Sequence, residues 1–388
     1  MSQSLVGNWN YPTSIRFGAG RIRELPDACK AVGLRRPLLV TDPGLAKLSM
    51  ISDAMLGLRK AGIEVALFSE VKPNPVASNV EAGVRILRAG KHDGVIAWGG
   101  GSGIDTAKAI AFMAGQTRPL WDFEDIGDWW TRANLAGIYP SIAVPTTAGT
   151  GSETGRASVI TNQETHTKKV IFHPKMMPSI VIADPELTVG LPPKLTAGTG
   201  MDAFIHCLEA YCAPGYHPYA EGIAVEGMRL VKENLARAVK DGRDLEARGH
   251  MLAASQMGST AFQKGLGAIH SLSHPVGAVL DTHHGLTNAV AMPYVLKFNR
   301  AAIDEKIQRL ARWLGLRNPT FDGFMEWSLD LRRQIGIPHT LAELGVKESH
   351  LDEFAEMAAV DPTAGGNPVK AGVPEMRKMY EAALAGRL

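Results

Sequence analysis

GVIAWGGGSGIDTAKAIAFMAG (residues 94–115) decides the fold. Its opening run is short, apolar and bounded by turn residues, which reads as a buried strand, and TAKAIAFMAG reads as a helix. Between them Gly99, Gly100 and Gly101 let the backbone come close to a ligand, and the helix N-terminus supplies free N–H groups and a positive dipole end. Ser102 and Asp105 fit an N-terminal capping box. Such a loop suits a pyrophosphate. The pattern is not GxGxxG, however, and a plain tight turn is the alternative. Outward from this unit, PLLVT (37–41) reads as a strand followed by a helix to about residue 60. VALF (65–68) is a further strand, NVEAGVRILRAG (79–90) a helix, and SIAVP (141–145) and IVIAD (180–184) are strands. Strands alternating with helices predict a parallel sheet covered by helices. Asp42, ending LLVTD, is placed to hold ribose hydroxyls and repel a 2′-phosphate, favouring NAD over NADP, or to cap the next helix. Unlike the usual fingerprint, it precedes the glycine loop. VPTTAGTGSE (144–153) is a second strand-to-loop segment whose hydroxyls suit phosphate or ribose.

From about Leu195 the pattern becomes long and helical, in TGMDAFIHCLEAYC, YAEGIAVEGMRLVKENLARAVKD and ARGHMLAASQMGSTAFQ among others. The change falls in the turn-rich DPELTVGLPPKL (184–195), which carries two consecutive prolines. Two domains are expected, 1–190 and 191–388, as befits a chain of 388 residues. The stretch DPTAGGNP (361–368) reads as a loop.

Composition is that of a globular protein, 45% hydrophobic and 21% charged. The 41 basic and 39 acidic side chains are scattered, which argues against nucleic acid or anionic membrane as partner. Apolar runs stay below the ~20 residues of a membrane span. The opening MSQSLVGNWNYPTSIRFGAG has no basic start with an apolar core, so no secretory signal is read. Three cysteines, Cys29, Cys207 and Cys212, suit packing roles in a reducing cytoplasm rather than a disulfide framework.

In GMDAFIHCLEAY, Asp202 and His206 stand four apart and share one helix face. GAIHSLSHPVGAVLDTHHG holds four of the twelve histidines: His270, His274, His283 and His284. His270 and His274 are again four apart, and the adjacent pair follows in a loop. One carboxylate with several imidazoles suits a first-row divalent metal, although any single histidine could be a packing or capping residue. Zinc-protease HExxH spacing is absent. Of the adjacent pair, His283 is taken as the spare, since neighbours rarely both face one ion.

GGGSGIDTAKAIA, VPTTAGTGSE, ADPELTVGLPP, TAGTGMDAFIHCLEAY, the HxxxHPxGA…HHG block and DPTAGGNP together resemble the iron-containing (group III) alcohol dehydrogenase family. The resemblance runs through nearly the whole chain. It implies an N-terminal α/β, Rossmann-like dinucleotide-binding domain and an all-α C-terminal metal-binding domain, with metal and nicotinamide in the cleft between. A cytoplasmic homodimer or larger homo-oligomer is implied, acting on a small alcohol or aldehyde. By resemblance the metal ligands are Asp202, His206, His270 and His284, and His274 is the proton-relay histidine. Gly99, Gly100, Gly101, Ser102 and Asp105 match the pyrophosphate loop, and Asp42 the ribose acid. Thr146, Thr147 and Lys168 match further cofactor contacts. The cofactors implied are NAD and Fe(II); the donor set also accommodates Zn(II), Ni(II) or Co(II). The implied chemistry is Lewis-acid activation of the alcohol with hydride transfer to NAD.

Two cations depart from the family's pattern. Arg156 follows TTAGTGSE and Lys264 precedes His270 in AFQKGLGAIH. They suggest an anionic substrate, an ω-hydroxy acid or its semialdehyde, unless both pair with protein carboxylates. Rival readings are a glycerol dehydrogenase-like polyol enzyme and a dehydroquinate synthase-like lyase. The DAFIH and HPVGA…HHG context argues against the first. Too few cations flank the metal motif for the phosphate substrate of the second.

Overall fold

A computed structural model describes residues 12–165 and 167–388. Of the opening segment read for a leader, residues 1–11 lie outside it. The described chain forms two compact units, one of residues 12–147 and 151–190, the other of 148–150 and 191–388.

The first unit is a six-stranded sheet in which every paired strand runs parallel. Its strands are β1 (Ser14–Phe17), β2 (Leu38–Val40), β3 (Ala66–Phe68), β4 (Val95–Gly99), β5 (Ser141–Pro145) and, after a hairpin, β8 (Ile180–Ala183). Helices α1 (Leu25–Ala31), α2 (Ser49–Lys60), α3 (Ala77–Ala89) and α4 (Gly101–Met113) connect them. The hairpin is β6 (Ala157–Asn162) with β7 (Thr167–Phe172), antiparallel. β4 and β5 are buried at every residue, as the continuous apolar runs of a covered parallel sheet require. β1, β6 and β7 went unread in the sequence for the converse reason. β1 lies at an edge with outer residues exposed, and lysines interrupt the apolar run of β7.

Strand order is β1-β8-β5-β4-β2-β3. The chain leaves β2 toward β3 on one side, and leaves β4 toward β5 on the other. The topological switch therefore lies between β2 and β4, the position at which open parallel sheets bind ligands at the carboxyl ends of their strands. Asp42 follows β2, the glycines end β4, and Thr146 and Thr147 follow β5, so the three segments line that carboxyl edge side by side.

The second unit is helical: α5 (Pro193–Cys212), α6 (Pro218–Lys240), α7 (Leu245–Ala261), α8 (Ala268–Leu280), α9 (His284–Trp313), α10 (Phe321–Gln334), α11 (Leu351–Ala359) and α12 (Val373–Ala385). α5 is buried at every residue from Gly200 to Cys212 because α6, α7 and α9 pack around it. Gly285 of α9 makes the closest of these approaches: a Cβ there would stand 2.1 Å from the Gly198 carbonyl oxygen and 3.0 Å from Asp202 Cβ. All three cysteines are free and buried, and burial pushes their thiols up to about 12. No helix among the described residues is long and apolar enough to cross a membrane.

Candidate metal centre and cofactor loops

Asp202 and His206, one turn apart on α5, meet His270 from α8 and His284, the first residue of α9. One ligand atom from each lies within 4.8 Å of the others. Asp202 Oδ1 is the hub, 3.5 Å from His284 Nε2, 3.9 Å from His206 Nε2 and 4.0 Å from His270 Nε2. His284 is thus no loop residue. It opens α9, which His283 caps, Nδ1 accepting from Leu286 N at 3.4 Å.

The hydrogen bonds behind the rings fit the set to a cation. His270 donates from Nδ1 to Glu209 Oε2 at 2.5 Å, and His284 Nδ1 faces Ser273 Oγ at 3.3 Å. An imidazole held at Nδ1 by oxygen keeps its Nε2 lone pair free, the arrangement in which ligating histidines are oriented. Burial pushes His206 down to about 4, so its ring is neutral near pH 7. Burial also disfavours a charged His270, but Glu209, its hydrogen bond and Asp202 outweigh that and raise the group above its ordinary value. Asn288, one turn beyond His284, donates from Nδ2 to Asp202 Oδ1 at 2.9 Å. The same nitrogen lies 3.2 Å from His270 Nε2 and 3.1 Å from His284 Nε2.

His274 stands beside the cluster, its ring stacked on His284 at 5.3 Å between centroids. Its Nδ1 contacts Asp361 Oδ2 at 2.8 Å. Burial would raise the Asp361 carboxyl; His274 and the Thr363 hydrogen bonds outweigh it and hold the group below the usual carboxylate range. The DPTAGGNP stretch is therefore more than a connector. Asp361 orients His274, and Asn367 Oδ1 accepts from Ala268 N at 3.1 Å at the start of α8.

At the sheet's carboxyl edge, Asp42 Oδ1 accepts from Gly44 N at 2.8 Å and Leu45 N at 2.9 Å, closing a turn rather than capping the next helix, whose N-cap is Leu48. Its Oδ2 lies 4.0 Å from where a Cβ on Gly99 would be. Gly99 has φ +145°, a conformation for glycine. Thr146 N donates to the Gly99 carbonyl at 2.9 Å, and Thr147 Cγ2 lies 3.1 Å from the Cβ position of Gly100.

The capping box does not form. Gly100 is the N-cap of α4, and Gly101 its first residue. Ser102 Oγ donates to the Pro73 carbonyl. Asp105 accepts from Ser152 Oγ and, at 3.0 Å, from Val159 N. Long-range partners thus claim both side chains. Beside Asp105 the buried Lys108 ammonium reaches the carbonyls of Ser152 at 2.9 Å and Ala157, anchoring the segment before β6. Lys168 lies on β7 in register with Thr161 of β6.

The two substrate candidates part company. The Lys264 side chain is buried, donating to Glu221 Oε1 at 2.7 Å and to the Tyr211 carbonyl at 3.3 Å, so it is the paired cation that the alternative anticipated. Arg156 lies over the Phe172 ring at 5.4 Å and forms no ion pair among the described residues.

Glu209, Asn288 and Asp361 were not singled out in the sequence. The first two carry a signal nonetheless: Glu209 follows His206 by three on α5, and Asn288 follows His284 by four on α9, the spacings that share a helix face. Asp361, 87 residues from its partner, has no such spacing, and only its place in the DPTAGGNP stretch points to it.

A model of the family described as iron-containing alcohol dehydrogenase matches residues 12–185, and one described as its C-terminal part matches residues 196–384. Similar proteins include a 4-hydroxybutyrate dehydrogenase of Cupriavidus necator, 39% identical over 96% of this chain and 99% of its own length. An NAD-dependent methanol dehydrogenase of Bacillus methanolicus is 35% identical, over 97% of this chain and all of its own. Among solved structures, a 1,3-propanediol oxidoreductase superposes with a TM-score of 0.92 at 37% identity, over 97% of this chain and all of the other.

Proposed function

Because the chain belongs to the iron-containing alcohol dehydrogenase family, we propose that it is an NAD-dependent, metal-containing oxidoreductase interconverting a small primary alcohol and its aldehyde. The match of both halves to that family favours this over the polyol dehydrogenase and lyase readings. The observation that carries the proposal is the set of buried Asp202, His206 and His270 with half-buried His284, the Nδ1 atoms of two rings turned to oxygen and the Nε2 atoms toward Asp202. These four residues would hold one divalent ion, iron by family, with Zn(II) the nearest substitute.

An ion held there supplies a Lewis acid for the alcohol or carbonyl oxygen. His274, with Nδ1 held by Asp361, offers Nε2 to accept a proton in oxidation and return it in reduction. Gly99, Gly100, Gly101 and the first turn of α4 hold the pyrophosphate, with Ser102 and Asp105 shaping that turn. Asp42 Oδ2 binds ribose hydroxyls, which selects NAD over NADP. Thr146, Thr147 and Lys168 complete the cofactor contacts. Gly99→Ala is expected to cost about 1–3 kcal/mol of backbone strain. It should also weaken NADH binding roughly tenfold or more, read by thermal unfolding and by fluorescence titration.

The substrate is an ω-hydroxy acid or its semialdehyde. The relative named for 4-hydroxybutyrate supports this, as does a guanidinium at Arg156 that forms no ion pair among the described residues. NADH oxidation with succinic semialdehyde and with propanal tests it. Arg156→Met should raise KM for the semialdehyde roughly tenfold or more, the size of one charged hydrogen bond, and leave propanal unchanged. Equal effects on both substrates would refute the anion pocket. We place the protein in the cytoplasm, in keeping with its free cysteines, as a homodimer or larger homo-oligomer, which light scattering would count.

A further inference from the structure

We propose that Asn288 is a positioning residue of the metal centre, holding Asp202 in its ligating orientation; the inference rests on the reading of the four-residue cluster as a metal site. Asp202 is 2% exposed, and a carboxylate so buried needs hydrogen bonds at its oxygens. Among the described residues Asn288 Nδ2 is its one hydrogen-bond donor, at 2.9 Å. The amide is itself fully buried, and it reaches all three ligand-bearing helices: Asp202 on α5, His270 Nε2 on α8 and His284 Nε2 on α9.

The covalent geometry makes this a device rather than an accident of packing. Asn288 is four residues past His284, so the two share a face of α9, and the side chain that anchors Asp202 is fixed to the helix that delivers His284. The amide thereby sets the separation between a carboxylate on one helix and an imidazole on another. Glu209 does the corresponding work for His270, holding Nδ1 and the Ile269 N–H together, the latter at 2.7 Å. With the ion in place a carboxylate oxygen has a second lone pair for the Asn288 hydrogen bond, whereas the ring nitrogens do not, so the lasting contact is the one to Asp202.

The test is Co(II) titration of the metal-free full chain, followed by the visible ligand-field bands and by competition with a chromophoric chelator. Asn288→Leu, of similar size but without donors, is expected to bind Co(II) roughly 10–100-fold more weakly, the usual effect of losing an outer-shell partner. Its bands should shift as the ligand geometry relaxes, while the far-ultraviolet dichroism of the metal-free chain stays unchanged. If the leucine variant does not fold, Asn288→Ser, too short to reach Asp202, should show the same loss. Wild-type affinity and bands in a folded variant would overturn the role of Asn288. A wild-type chain that takes up no Co(II) would overturn the metal reading itself, a separate failure.

Discussion

Asp202→Ala is expected to lose its bound metal and to retain less than roughly a thousandth of wild-type turnover, because Lewis-acid stabilisation is worth several kcal/mol and about 1.4 kcal/mol is a factor of ten. Asp202 Oδ1 lies 3.5 to 4.0 Å from three imidazole nitrogens and carries the single negative charge of the four-residue set. Removing it leaves three neutral rings to balance a dication. The fold should survive, since a buried charge removed together with its ion leaves no unpaired charge behind. Elemental analysis and NADH oxidation of the folded variant are the checks. A variant that keeps full metal and full activity would place the centre elsewhere.

Gly285→Ala should be nearly as damaging without removing a ligand. The added Cβ would meet the Gly198 carbonyl oxygen at 2.1 Å, and backbone cannot rotate aside as a side chain can. α5 and α9 must then separate where they carry Asp202 and His284. Overpacking of this kind costs about 1–3 kcal/mol. A misplacement of ligands by a fraction of an ångström should weaken metal binding on the order of 100-fold, the upper end of what disturbing a ligand's support costs. Chemical denaturation and Co(II) titration would read the two effects separately. Gly285→Ala with unchanged stability would mean that the helices are not in backbone contact.

What was legible in the sequence was what depends on period and spacing. The run GVIAW, the three glycines and the following apolar helix announced β4, its turn and α4, because each is a local pattern. Asp202 and His206 declared a shared face through their separation of four. What misled were residues whose partners lie far along the chain. Ser102 and Asp105 have capping-box spacing, yet Pro73, Ser152 and Val159 hold them instead. Lys264 sits six residues before His270, but Glu221, 43 residues away, claims its charge. His284 read as a loop residue because histidine is an uncommon cap, and His283 serves as one. Asp361 could not be matched to His274 by any local rule, since the pair forms only when the segment after α11 returns to α8.

One ion held by Asp202, His206, His270 and His284 is expected to be required for hydride transfer. The check is to strip the chain with chelator under anaerobic conditions and to follow NADH oxidation by succinic semialdehyde as Fe(II) is returned in steps. Turnover should rise in proportion to bound iron and stop rising at one ion per chain, with no recovery in Asp202→Ala. Undiminished turnover in the stripped chain, or none at one bound ion per chain with both substrates present, would contradict it.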